Sequence, residues 1–199
     1  MLGPIFFEVP SSPPMTSIPT PQQEAQGPLR INTISLAQGG VLGMSHCPGR
    51  RGVDGSGLAW MRDLAQDLDA IQAWGASTVL SLVESPEFAR LGVPGFAQAM
   101  ASTPLTWLHI PITDMGTPGP DALAAWQQQA PTLNAALARG DRVLVHCAAG
   151  LGRTGMVVAK LLTLNGWGAD EAIAQVRSAR PGTIETEAQA QWVRGDWGN

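Results

Sequence analysis

The chain contains one lysine, Lys160, and no tyrosine among its 199 residues. Charged side chains of all kinds make up only 14%, and the formal net charge is -4. Nucleic-acid surfaces need clustered Lys and Arg against the phosphate backbone, so this balance argues against a nucleic-acid partner. Cysteine is scarce too, with Cys47 and Cys147 the whole supply. Two thiols make a poor disulfide framework, which points to a reducing, cytoplasmic setting with at least one thiol kept free. No apolar run approaches the roughly 20 residues of a membrane span. The patch Ile5-Phe6-Phe7 is short and has no basic residue before it, unlike a signal peptide. No membrane partner is expected. Neither a Cys-x-x-Cys nor a His-x-x-x-His spacing occurs, so no metal or other cofactor is expected.

What the chain does have is 44% hydrophobic residues, enough for one domain with a real core and a tail. Prolines at positions 4, 10, 13, 14, 19, 21 and 28 deny helix hydrogen bonds. With little apolar surface to bury, residues 1–27 read as a flexible leader before a domain spanning 28–199. Apolar and polar residues alternate over Ile31 to Leu36, as in a strand, and Gly40 to Met44 suggests a second. A Gly-rich loop follows from His46 to Gly57. Leu64, Leu68 and Ile71 fall on one face of a helix predicted over 58–74, with Gly75 suited to its end. Strands are predicted at 78–83, 105–110 and 142–146. Helical pieces are predicted near 86–91 and 94–101, and longer helices over 120–139, 153–165, 169–180 and 186–193. Strands alternating with helices argue for an α/β fold with a central, mostly parallel sheet flanked by helices.

The decisive run is His146-Cys147-Ala148-Ala149-Gly150-Leu151-Gly152-Arg153-Thr154-Gly155. It joins the most β-like segment to an apolar helix. A phosphate dianion needs several converging donors, and the N–H groups of a tight loop supply them if small residues let it curl. Ala148, Ala149, Gly150, Leu151 and Gly152 would form such a loop, at the N-terminus of a helix whose dipole favours anions. The same field favours a thiolate at Cys147, since thiols at helix N-termini fall to roughly pKa 3.5–7.5. Arg153 lies six residues after Cys147, and its planar fork can hold two phosphoryl oxygens. Thr154 can aim its hydroxyl at the sulfur. A Walker nucleotide loop is excluded because no Gly-Lys-Ser/Thr follows.

The pattern His146-Cys147-x-x-Gly150-x-x-Arg153-Thr154-Gly155 resembles the signature of the protein tyrosine and dual-specificity phosphatase superfamily. The resemblance extends to its kinase-associated phosphatase branch (cyclin-dependent kinase inhibitor 3-like) over about residues 30–195. It includes the run Pro111 to Pro118 and the segment Ile184 to Gln189. It implies a protein phosphatase acting on phosphotyrosine, and on phosphoserine or phosphothreonine as a further option, through a phosphocysteine at Cys147. Asp114, in a loop followed by Gly116, Pro118 and Gly119, matches the position of the family's general acid. Asp121 is the rival, at a position expected to cap a helix. Gln189 matches a water-positioning glutamine in parts of the superfamily; the alternative is a solvated helix residue. His146 is expected to order the loop through side-chain hydrogen bonds.

A second pair, His46-Cys47, is followed by Pro48, Gly49, Arg50 and Arg51, but the residue six past Cys47 is Val53. It is therefore not a second phosphate loop. Its readings are a substrate-recognition loop led by Arg50 or Arg51, a thiol that protects Cys147 by disulfide, or a plain surface loop. The loop after Cys147 carries no Lys, so a highly charged inositol phosphate is a poorer fit than a phosphorylated protein, met by a monomer. Alternatives are a phosphopeptide-binding module, a phosphatase for a non-protein ester and a sulfur-transfer enzyme.

Overall fold

The computed structural model describes residues 20–195. Helix α1 spans Pro21–Gln26, started by a Thr20 side chain that accepts from Gln23 N–H and by proline at the first helical position. This corrects the reading of 1–27 as leader over its last stretch; residues 1–19 lie outside the described residues. The elements that follow are β1 (Asn32–Ser35), β2 (Val41–Ser45), β3 (Arg51–Val53), β4 (Ala59–Met61), α2 (Leu64–Ala73) and β5 (Ala76–Ser81). Then come α3 (Ser85–Arg90), α4 (Phe96–Ala101), β6 (Thr106–His109), α5 (Pro120–Ala138), β7 (Arg142–His146), α6 (Gly152–Leu164), α7 (Ala169–Ala179) and α8 (Glu187–Arg194).

The main sheet has five strands in the order β1-β2-β7-β5-β6. β1 is antiparallel to β2, and the other pairings are parallel. The mostly parallel sheet expected from the sequence is thus present. Strand β7 sits in the middle, and Val143, Leu144 and Val145 are all 0% exposed. Successive side chains of a strand point to opposite faces, so both faces of β7 are covered. Helices do the covering: α6 packs on β2 and β7, α5 on β7, α7 on β1, and α2 on β5. Helix α6 is buried almost throughout, as its all-round apolar sequence requires.

The register sets Ser45, His146, Ser81 and His109 side by side at the carboxyl ends of β2, β7, β5 and β6. In open α/β sheets ligands bind just outside this edge. The loops holding Cys47, Cys147 and Asp114 all leave from it.

The helix predicted over 58–74 is shorter than expected. Its first part is strand β4, which closes a hairpin on β3 inside the segment read as a Gly-rich loop. Asp63 then caps α2 by accepting from Gln66 N–H at 3.0 Å. Asp121 is not a cap either; Gly119 holds that position, and Asp121 lies in the first turn of α5, where a carboxylate meets the positive end of the dipole.

Gly40, between β1 and β2, lies against the last turn of α5, and a Cβ there would run into the Leu137 carbonyl oxygen. Backbone cannot yield as a side chain can. Gly40→Ala should therefore destabilise the fold by about 1–3 kcal/mol, read as a lower urea midpoint with unchanged slope.

Candidate active site

Strand β7 ends at His146 and α6 begins at Gly152, so Cys147 to Leu151 form one tight connection. The carbonyls from Cys147 to Gly150 are each held from outside. Cys147 O accepts from His146 Nδ1 at 3.2 Å. Ala148 O accepts from Cys47 N at 3.1 Å and from Arg50 Nη1 at 3.2 Å. Arg180 takes the next two, donating Nη2 to Ala149 O at 3.1 Å and Nε to Gly150 O at 2.8 Å. A trans peptide points its N–H opposite to its C=O. Carbonyls drawn outward therefore turn the following N–H groups inward, and Gly150 N–H indeed donates to Cys147 Sγ at 3.2 Å. Glycine is required at 150: its φ is +72°, and a Cβ would collide with the Ser45 carbonyl and come within 2.6 Å of His46 N.

The His146 ring bridges the first carbonyl of the loop and Ser81. A carbonyl only accepts, so Nδ1 carries the proton given to Cys147 O. Nε2 then accepts from Ser81 Oγ at 2.6 Å, and Ser81 Oγ accepts from Trp107 Nε1 at 2.9 Å. Burial, with Arg153 and His109 near, pushes the His146 pKa down to about 4, which keeps the ring neutral.

Arg153 is 1% exposed and held on several sides. Nη1 donates to Glu87 Oε2 at 2.6 Å and Ile112 O at 2.9 Å, and Nη2 donates to Glu87 Oε1 at 3.2 Å. Nη2 also meets Asp114 Oδ1 at 2.8 Å. Nε is buried without a hydrogen-bond partner. Burial alone would lower the Arg153 pKa, but Glu87, Cys147 and Asp114 raise it on balance. Glu87 shows the converse: burial pushes it up, yet the Arg153 contact leaves it below the usual carboxylate range.

Asp114 is 66% exposed by its side chain, on the loop after β6. That loop is tied to α8: Gln189 Nε2 donates to Gly116 O at 3.2 Å, while Gln189 Oε1 accepts from Glu185 N at 2.9 Å. Gln189 is fully buried, which rules out the solvated-residue alternative. Thr154 Oγ1 is buried with no hydrogen-bond partner, so the expected contact of its hydroxyl with the sulfur is not made. The loop N–H of Gly152 is also engaged, donating to Glu185 Oε2 at 2.8 Å.

The structure brings Cys147, Arg153 and Asp114 into one neighbourhood, together with Glu87, Arg180 and Glu185, which the sequence did not single out. A signal for Glu185 exists in the backbone. Met115 and Ile184 are the non-glycine residues with positive φ among those described, at +59° and +56°. Each adjoins a carboxylate that touches the loop. A β-branched residue such as Ile184 tolerates this conformation poorly.

Cys47 lies at the end of β2 beside the loop and is 0% exposed, as is His46. The reading of this stretch as a plain surface loop is therefore corrected for His46 to Gly49. Burial and the neighbouring Cys147 push the Cys47 thiol up, so it stays protonated at neutral pH. Among the described residues, no group of His, Cys, Asp and Glu side chains could hold a metal ion. No helix there is long and apolar enough to cross a membrane.

A curled strand-to-helix loop around a cysteine, closed by an arginine six residues on, marks a cysteine-dependent phosphatase. The fold agrees: the solved structure of a kinase-associated phosphatase, with its catalytic-site cysteine changed to serine, superposes with a TM-score of 0.74 at 25% identity, covering 84% of this chain and 93% of that one. Cyclin-dependent kinase inhibitor 3 of Mus musculus is 26% identical over 178 residues, 87% of this chain and 81% of its own length. Protein tyrosine phosphatase domain-containing protein 1 of Danio rerio is 46% identical over 54 residues, 27% of this chain and 8% of that protein. The family model described as polymorphic toxin system, DSP-PTPase phosphatase matches residues 54–167. The chain belongs to that family, and it is a phosphatase of the protein tyrosine/dual-specificity class.

His46 shares the constraint of His146, its pKa pushed down to about 3, chiefly by burial and by Arg62. Both rings stay neutral in the fold while unfolded histidine titrates near 6.5. Below that value the unfolded state binds more protons, so stability is present above pH 6.5 and falls as pH drops toward 4. Each ring should cost about 1.4 kcal/mol per pH unit across this window. Urea unfolding at pH 7 to 4.5 should show this slope, and His46→Asn, whose amide can replace the 3.1 Å bond from His46 Nδ1 to Cys47 O, should remove about half of it.

Proposed function

We propose that the chain hydrolyses phosphotyrosine in proteins, with phosphoserine and phosphothreonine as further substrates, by way of a phosphocysteine at Cys147. The observation that carries this reading is the convergence on one loop of the Cys147 sulfur, the Gly150 N–H 3.2 Å from it, and an Arg153 with a buried, unpartnered Nε. An arginine edge with two parallel donors suits two phosphoryl oxygens.

In the first step the Cys147 thiolate attacks phosphorus. The P–O bond to the leaving oxygen breaks, and protonated Asp114 gives that oxygen its proton. Arg153 and the inward N–H groups of Ala148 to Leu151 hold the equatorial oxygens, where charge spreads in the transition state. Phosphate arriving on Arg153 takes the Nη2 donor that Asp114 now occupies, which frees the carboxyl group to meet the leaving oxygen. In the second step water attacks the phosphocysteine, Asp114 takes its proton, the S–P bond breaks and inorganic phosphate leaves. No metal enters the scheme.

Glu87 and Ile112 O fix the far side of the guanidinium, and His146 and Arg180 fix the loop. Gln189 joins the Asp114 loop to the segment that carries Glu185, a position from which it can orient the attacking water. A domain spanning residues 28–199 would then carry the chemistry, with α1 docked on it and a leader ahead. A reducing cytoplasm suits a chemistry that depends on a free thiolate.

Cys147→Ser should still bind vanadate or phosphate while turnover of p-nitrophenyl phosphate is lost; an active Cys147→Ser enzyme would refute the mechanism. Thiosulfate assayed beside p-nitrophenyl phosphate should give no sulfur transfer. Asp114→Asn should lower kcat on a phosphotyrosyl peptide by about 10²-fold or more. It should also steepen the dependence of rate on leaving-group pKa, and an unchanged dependence would move the acid elsewhere.

A further inference from the structure

Beside the phosphate loop lies a cleft of about 590 Å³ that takes no part in the chemistry above. Its apolar walls are Pro21 of α1, Leu58 and Trp60 of the β3–β4 hairpin, Ala149 and Leu151 of the loop itself, and Pro181. Ala149 and Leu151 stand two and four residues past Cys147, so the cleft is continuous with the loop that would seat a phosphoryl group. Cys147, Arg153 and Asp114 do not line it.

The charges in the cleft decide what it selects. Two arginines and two carboxylates line it, Arg50 and Arg180 against Glu24 and Asp54. An arginine has five N–H donors, and Arg180 makes five contacts: Gly150 O, Ala149 O, Asn32 Oδ1 and both oxygens of Glu24. Arg50 is held by Ala148 O, by Asp54 at 3.7 Å, and by the face of Trp60, 4.1 Å from the ring centre. Asp54 in turn accepts from the N–H of Ser56 and Leu58, the Ser56 hydroxyl and the Trp60 indole. Arg180 is spent on the fold; Arg50 makes one hydrogen bond, and its charge is answered by Asp54 and the face of Trp60. A second phosphate or an acidic side chain would meet Glu24 and Asp54 as well as the arginines, whereas an apolar group meets ready walls.

We propose that this cleft is a specificity subsite that receives an apolar or aromatic side chain adjacent to the phosphorylated residue of the substrate polypeptide. The proposal rests on the catalytic reading above for the place of the phosphoryl group. The cleft shares Ala149 and Leu151 with the loop under the phosphoryl group, and neighbouring residues of an extended chain are 3.8 Å apart at Cα, so a side chain flanking the phosphorylated residue can turn into it. Burying a Leu- or Phe-sized group there is worth roughly 10-fold or more in kcat/KM. The balanced charge also sets this subsite against multiply phosphorylated sugars and inositols, which need free cations.

The test uses phosphotyrosyl peptides that differ only in the residue on either side of the phosphotyrosine: Leu, Phe, Gln or Glu. Wild-type enzyme should turn over the Leu and Phe peptides at least about tenfold better in kcat/KM than the Gln and Glu peptides on one flank. In Leu58→Asp, on the hairpin side of the cleft, that ratio should fall to near one, and Leu58→Ala should reduce it partly. Calorimetric binding of the same peptides to Cys147→Ser reads the preference without turnover. Equal rates and equal binding across the panel, a preference that survives Leu58→Asp, or stronger selection for Glu would overturn the proposal. Loss of p-nitrophenyl phosphate turnover in wild type with the binding preference intact would count against the catalytic reading and support the subsite.

Discussion

The arrangement at the loop depends on where five carbonyl-directed donors sit. His146 Nδ1, Cys47 N, Arg50 Nη1 and two nitrogens of Arg180 draw consecutive carbonyls away from Cys147. Without them the loop's own peptide dipoles would present oxygen to an incoming anion, and the site would repel what it is proposed to bind. A helix N-terminus alone supplies positive potential, but it does not decide which way each peptide plane turns. Here that decision is made by His146 at the end of β7, by the Cys47 N–H and the Arg50 side chain in the segment after β2, and by Arg180 at the end of α7. The neutral state of His146 is part of the same device, since only one tautomer serves both Cys147 O and Ser81.

Arg153 has the opposite problem. It is a cation taken almost wholly out of water, and burial of a lone charge costs several kcal/mol. Glu87 makes the position tenable, with both oxygens on the guanidinium. Removing Glu87 would leave a buried charge with the Ile112 carbonyl and the exposed Asp114 as its partners, at a cost of about 3–5 kcal/mol. The pair fixes the plane of the guanidinium, so the unpartnered Nε is held in place without further ordering. Asp114 and Glu185 then rest on donors of the same loop, each next to a residue whose backbone is held in the left-handed region. Strain kept at two points around one site marks a framework that over-determines its geometry.

How far this could be read from the sequence follows from how far each contact reaches along the chain. The run Arg142 to Gly155 carries strand, turn and helix start in consecutive residues, so β7, the loop and α6 were legible, and the parallel sheet followed from the alternation of elements. The β3–β4 hairpin was not: its strands are three residues each, too short for alternation to show, and Leu58 sits in register with the helical apolar positions that follow it. The partners of the loop were hidden for a related reason. Glu87 lies 66 residues from Arg153, Arg50 lies 98 from Ala148, and Arg180 lies 30 from Gly150. None has a local pattern that sets it apart from a surface charge. Helix α1 was read as leader because proline at the first turn and proline in a coil look alike in sequence.

The Glu24–Arg180 pair joins residues 156 positions apart, and Arg180 is the residue that turns two carbonyls of the phosphate loop. During synthesis the loop therefore emerges before the guanidinium that shapes it, and α1 waits for Arg180 to arrive. Competence to hold an anion is reached only after that long-range closure has formed. Contacts of such long range slow folding, and a nascent or truncated chain would carry the reactive sulfur without the loop shape that puts it to use.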